Sequence, residues 1–133
     1  MKGRVVFACV HSAGRSQMAA AFFNQLARGG LHAVSAGTEP AQRVHPEVVE
    51  AMREAGIDLS ASRPRLLDRE LAAQALLLVT MGCGERCPVV PGVERDDWPL
   101  EDPQGKGPEA VRRIRDEIRT RVERLVRSRG WGG

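Results

Sequence analysis

Residues 4–16 read RVVFACVHSAGRS, and the order of residue types in this stretch decides the fold. Arg4 to Ala8 is a β-branched and aromatic run of strand length. Cys9 to Ser16 (CVHSAGRS) is a loop rich in small residues, and Gln17 to Arg28 (QMAAAFFNQLAR) is a helix-compatible segment closed by Gly29 and Gly30. The unit is strand, loop, helix. The same alternation continues outward. Leu31 to Ser35 reads as a second strand bounded by Gly37. His45 to Ala55 places Val48, Met52 and Ala55 on one helical face and stops at Gly56. Arg65 to Ala73 is expected as a short third helix. Ala75 to Thr80 (ALLLVT) is apolar throughout, as a parallel strand covered on both faces requires. Val93 to Trp98 is a weaker strand candidate. From Pro108 to Ser128, Val111, Ile114, Ile118, Val122 and Leu125 recur at spacings of three and four, which predicts a long amphipathic helix. Strand and helix alternate throughout, so the expected architecture is α/β: one domain over residues 1–133, a doubly wound sheet of about four parallel strands flanked by helices, with ligands at the carboxyl ends of the strands.

Composition narrows the function. The chain has 133 residues, 42% of them hydrophobic and 28% charged, with 14 Gly and 8 Pro. This is an ordinary globular composition with room for one core. The net charge is only +3, there are 2 Trp, 3 Phe and no Tyr, and acids interleave the arginines of the terminal helix. A nucleic-acid binder would concentrate its basic residues and offer stacking partners. The arginines therefore read as the solvated face of a docked helix, and no nucleic-acid partner is expected. The longest apolar stretch, Leu71 to Met81, is roughly half the ~20 residues of a bilayer span. The N-terminal residues lack the features of a secretory signal. A monomer in the cytoplasm, with no membrane association, is the expectation. In that reducing setting 3 Cys cannot close into a structural disulfide framework, and their reactivity becomes the question.

Cys9 stands where open α/β sheets hold their ligands. The loop Val10, His11, Ser12, Ala13, Gly14, Arg15 leads into a helix N-terminus. A loop of this length and composition can turn successive backbone N–H groups toward one tetrahedral oxyanion, with the Arg15 guanidinium as a two-pronged cationic donor. Cys9 then lies at the floor as the nucleophile. The same groups favour its thiolate, and the Ser16 hydroxyl can donate to the sulfur. Blander readings stand beside these. Cys9 can be a small buried hydrophobe, Ser16 an N-cap or first-turn residue, and His11 an exposed residue with no role.

Cys9-Val10-His11-Ser12-Ala13-Gly14-Arg15-Ser16 with Gln17-Met18-Ala19 resembles the signature of the low-molecular-weight protein tyrosine phosphatase superfamily, and within it the arsenate reductases. Two more stretches resemble the reductases. Val79 to Pro88 (VTMGCGERCP) looks like their redox segment, and Asp97 to Gly105 (DWPLEDPQG) like their Trp and Asp-Pro segment. The resemblance spans nearly the entire chain. It implies a low-molecular-weight phosphatase fold and arsenate as substrate, with phosphate or sulfate as oxyanion mimics. It also makes Asp102 the acid that protonates a departing oxygen, where composition alone would make it a turn residue. It further implies a relay in which Cys83 and then Cys87 carry the oxidation away from Cys9, ending in a Cys83–Cys87 disulfide. If that segment is helical, the spacing of four puts the two Cα atoms ~6 Å apart, within disulfide range. Zinc ligation and inert thiols remain as alternatives for this pair.

The implied reductant is thioredoxin or a low-molecular-weight thiol such as mycothiol, and no cofactor or resident metal is expected. Ser12 stands where most of the superfamily has an Asn and His11 where many have Gly, so the loop is expected to be either less preorganised or braced differently. Ala20 stands where some reductases carry a Glu that helps bind potassium, and no potassium site is expected. Asp96, Asp97 and Glu101 are expected to be solvated. The alternatives are a phosphatase using Cys9, Arg15 and Asp102, and a thiol-based arsenic or redox sensor.

Overall fold

The computed structural model describes residues 3–82 and 90–132. In chain order the elements are β1 (Gly3–Cys9), α1 (Arg15–Leu26), β2 (Leu31–Gly37), α2 (Pro46–Glu54), α3 (Arg69–Ala73), β3 (Leu77–Thr80), β4 (Glu94–Asp97) and α4 (Pro108–Arg129). The strands form one sheet in the order β2-β1-β3-β4, and every neighbouring pair is parallel. The expected α/β sheet is present. β1 lies inside it, with Cys9 opposite Gly37 on β2 and Ala8 opposite Thr80 on β3. The carboxyl ends of three strands therefore meet around the loop that follows β1.

Side chains alternate across a strand, and β1 divides its residues between two cores. Val5, Phe7 and Cys9 join Met18, Phe22 and Phe23 of α1, Val48 and Met52 of α2, and the apolar stripe of α4. Val6 and Ala8 face the other way, with Leu78 of β3 and Leu71 and Ala72 of α3. Phe7 is fully buried, packed edge-on against Phe23 at 6.0 Å and against Trp98 at 5.6 Å. Double-sided burial of this kind is what the continuous apolar runs in β1 and β3 predict.

Four boundaries differ from the sequence reading. α1 starts at Arg15, so Arg15 and Ser16 form its first turn. It also ends at Leu26, because Ala27 is extended and the Arg28 N–H bonds the Trp131 carbonyl at 2.7 Å. α3 starts at Arg69, where the Asp68 carboxylate caps the Leu71 N–H. Residues 65–67 instead run along the outer edge of β2, where Gly37 N–H donates to the Arg65 carbonyl and Leu67 N–H to the Gly37 carbonyl, both at 2.8 Å. The fourth strand spans only Glu94–Asp97 and is exposed along its whole length, as befits a sheet margin.

The arginines of α4 are largely engaged within the chain. Arg112 and Arg115 clamp Glu54 of α2, Arg113 pairs with Glu101, and Arg129 pairs with Glu94. Arg119 and Arg121 lie over the rings of Phe22 and Trp98. α4 docks through its apolar stripe, and its arginines lie on the outer face, as the charge pattern predicts, with side-chain partners in neighbouring elements. Among the described residues no helix is long and apolar enough to cross a membrane.

Candidate active site

The peptide carbonyls between β1 and α1 are all spoken for. Val10 O accepts from Glu39 N–H at 2.8 Å, His11 O from Ala41 N–H at 2.9 Å, Ala13 O from His45 N–H at 2.9 Å and Gly14 O from Met18 N–H at 3.1 Å. Ser12 O accepts from Gln17 Nε2 at 2.9 Å. In a trans peptide the N–H of the next residue points opposite the carbonyl. Fixing these carbonyls outward therefore turns the N–H groups of residues 11–15 to the other side of the loop. Among the described residues none of those N–H groups donates to a backbone acceptor. α1 adds its own first-turn donors, because its N-cap is Gly14, with no side-chain cap and no acidic residue in the first turn. The result is a concave set of donors at a helix N-terminus, suited to an anion.

Ser12 lies at φ 52°, a left-handed conformation that costs a non-glycine residue of order 1 kcal/mol. Its hydroxyl holds it there. Ser12 Oγ is 2.7 Å from Ser35 Oγ on β2 and accepts the Arg65 N–H at 3.3 Å. Ser35 Oγ is in turn 2.6 Å from Ser16 Oγ, and Ser16 Oγ is 2.8 Å from Cys9 Sγ. A thiolate can only accept. With Cys9 ionised the chain runs one way: Arg65 N–H to Ser12, Ser12 to Ser35, Ser35 to Ser16, Ser16 to the sulfur. This is the different bracing that a Ser in place of Asn called for. Ser16 is a first-turn residue of α1 rather than its N-cap, which is Gly14.

Cys9 is the last residue of β1 and 3% exposed, and Arg15 is 8% exposed. Arg15 Nη1 donates to the Leu100 carbonyl at 3.0 Å, and its Nη2 lies 3.8 Å from Asp102 Oδ2. The Asp102 side chain is 45% exposed, and its other oxygen accepts the Gln104 N–H at 3.0 Å. The His11 ring pairs through Nδ1 with the Glu39 carbonyl oxygen at 3.0 Å. Cys9, Arg15, Ser16 and Asp102 therefore share one rim with the loop Val10–Gly14. Cys83 and Cys87 lie outside the described residues; the described chain reaches Gly82, directly before Cys83.

The acids expected to be solvated are exposed, and each also has a partner within the chain. Asp97 accepts from Thr80 Oγ1 at 2.7 Å and Asp96 from Trp98 Nε1 at 2.9 Å. Hydrogen bonds first from Arg113 and then from Lys106 hold Glu101 below the usual glutamate range. These contacts tie the Asp102 loop to β3 and α4. Behind the loop is a cavity of about 280 Å³ whose lining includes Ala20, Ser35, Arg63 and Arg65. Its described lining residues include Arg63 and Arg65 and no acid.

The sequence reading missed Ser35, Gly37, Gly82 and the Leu100 carbonyl. Ser35 carried a faint signal, as a polar residue near the carboxyl end of an otherwise apolar strand. Gly37 is required by close approach: a Cβ there would sit 2.5 Å from Val10 O and 2.7 Å from Ser12 N.

The site is thus a Cys-x5-Arg loop at the carboxyl end of the first strand of a parallel sheet. The chain belongs to the low molecular weight phosphotyrosine protein phosphatase family, whose pattern matches residues 4–129. It is 40% identical over 121 residues to a putative arsenate reductase of Halobacterium salinarum, an alignment covering 87% of this chain and 85% of that one. It is also similar to the solved thioredoxin-dependent arsenate reductase of Corynebacterium glutamicum, with 36% identity and a TM-score of 0.82. That match takes in 96% of this chain but only 61% of the longer relative. An arsenate reductase solved in a phosphate-binding state is 32% identical, with a TM-score of 0.83 and coverage of 96% and 98%.

Proposed function

We propose that this protein is an arsenate reductase that works through a cysteine thiolate and a three-thiol relay. The observation that carries the reading is the loop whose carbonyls are tied outward and whose N–H groups are turned inward, beside Cys9 and Arg15. The names of the relatives at 40% and 36% identity support arsenate as the oxyanion.

The Cys9 thiolate attacks arsenic, forming an S–As bond, while Asp102 gives a proton to the oxygen that leaves as water. The N–H groups of residues 11–15 and the Arg15 guanidinium hold the remaining oxygens and the charge that develops on them. The Cys83 thiolate then attacks the Cys9 sulfur. The S–As bond breaks, its electron pair stays on arsenic, and arsenite departs as As(V) becomes As(III). Cys87 attacks Cys83, freeing Cys9 and leaving a Cys83–Cys87 disulfide. An external thiol reductant closes the cycle. Thioredoxin fits the Corynebacterium relative's name, and mycothiol is the alternative donor. The reaction is assigned to one domain spanning residues 1–133, in the reducing cytoplasm.

The test is arsenate-dependent NADPH oxidation with thioredoxin and thioredoxin reductase, for the wild type and for Cys9→Ser, Cys83→Ser and Cys87→Ser. Turnover is expected in the wild type and its loss in each variant. Turnover of Cys87→Ser with mycothiol alone would assign the small-thiol donor. Absence of arsenate-dependent turnover with either reductant, in a protein that hydrolyses phosphoryl esters, would make it a phosphatase instead.

A further inference from the structure

Gly82 follows β3 with φ at +98°, a left-handed backbone. A Cβ on this residue would lie 2.3 Å from Arg15 Nη1 and 3.2 Å from Arg15 Cζ. The space an L side chain would fill is thus occupied by the guanidinium. The other contacts of that guanidinium come from a different segment, the Leu100 carbonyl at 3.0 Å and Asp102 Oδ2 at 3.8 Å. Arg15 is therefore seated between the end of β3 and the loop bearing Asp102, and the slot exists only because residue 82 has no side chain.

We infer that Gly82 is a positioning residue for Arg15, whose guanidinium takes its aim from the space that a side chain at residue 82 would fill. The inference deepens the proposed function and rests on it for the role of Arg15; the contact itself does not. Two physical demands meet at this position. The backbone conformation favours glycine, and the neighbour is a side chain whose fork must point into the anion loop to bind two oxygens. A displaced guanidinium loses its direction toward the oxyanion, and a misplacement of about 1 Å costs up to about a hundredfold in rate. Oxyanion affinity and turnover both fall, because Arg15 holds the bound oxygens and the charge that develops on them.

The experiment is a cycle of wild type, Gly82→Ala, Arg15→Ala and the double variant. It is read by inorganic phosphate titration in a calorimeter, by arsenate kinetics and by thermal melting. In Gly82→Ala the phosphate Kd is expected to rise, and the arsenate kcat/KM to fall, about tenfold or more. The melting penalty of Gly82→Ala should be smaller in the Arg15→Ala background, since the backbone strain remains but the collision is gone. If Gly82→Ala fails to fold, recovery of the fold in the double variant supports the inference and continued failure overturns it. Equal melting penalties with and without Arg15, or a wild-type phosphate Kd in Gly82→Ala, also overturn it. The melting cycle needs neither arsenate nor a reductant, so a wild type that binds phosphate but does not reduce arsenate would defeat the proposed function and leave this result standing.

Discussion

The hydroxyl of Ser35, on β2, lies 2.6 Å from that of Ser16, on the first turn of α1. Through it the second strand reaches the sulfur at the end of the first, because Ser16 is the group 2.8 Å from Cys9 Sγ. A hydrogen bond to an ionised group is worth roughly 1.5–3 kcal/mol. Ser16→Ala should therefore slow Cys9 alkylation at neutral pH by about tenfold. Ser35→Ala, which leaves the Ser16 hydroxyl in place but without its donor, should slow it less. Iodoacetamide labelling in a Cys83→Ser, Cys87→Ser background measures both rates, and wild-type rates in both variants would remove the hydroxyl chain from the account.

Gly37 is where β2 touches the anion loop, with backbone atoms of Val10 and Ser12 under 3 Å from the site of a Cβ. Backbone cannot turn aside as a side chain can. Gly37→Ala should lower stability by about 1–3 kcal/mol and weaken phosphate binding together with it. Urea unfolding and phosphate titration on one preparation will show whether the two losses coincide.

Asp102 is assigned a proton to give and no bond to the bound anion. Asp102→Asn should lower kcat by about a hundredfold or more while phosphate affinity holds or improves, since a carboxylate 3.8 Å from Arg15 Nη2 is removed. A fall in phosphate affinity equal to the fall in kcat would instead make Asp102 part of the grip.

Glu54 joins α2 to α4. A hydrogen bond from Arg112, assisted by Arg115, sets its folded pKa below the ordinary 4.5. A carboxyl so lowered stabilises the fold above its ordinary value, and the contribution disappears as pH falls through the folded value. Wild type should melt above Glu54→Gln at neutral pH, and the gap should close as the pH drops below 4.5. Since the pair is exposed the gap is small and shrinks with added salt. A gap that persists in acid would assign the clamp to packing.

The features legible in the sequence were the locally encoded ones. β1 and β3 announce themselves because both faces of each are buried, and α4 because its apolar residues return at every turn. The Cys9–Arg15 loop is legible because small residues and one arginine follow a strand directly. The start of α3 was not legible: Leu66 forms a bridge with Gly37, a tertiary contact that takes residues 65–67 away from the helix. Nor was the first turn of α1, since Gly14 caps it with no side-chain signal. The serine chain draws its members from a loop, a helix and a separate strand, and no spacing rule joins Ser35 to Ser12. Cys83 and Cys87 lie outside the described residues.

The two margins of the sheet are closed in different ways. On one side residues 65–67 already take the hydrogen bonds that Gly37 offers. On the other, β4 carries Glu94, Arg95, Asp96 and Asp97 in succession. A foreign strand seeking to extend the sheet would find the first position taken at its carboxyl end and the second guarded by charge. Concentrated solutions of the folded chain should accordingly resist fibrillar aggregation, and neutralising Asp96 and Asp97 together is where that protection would first fail.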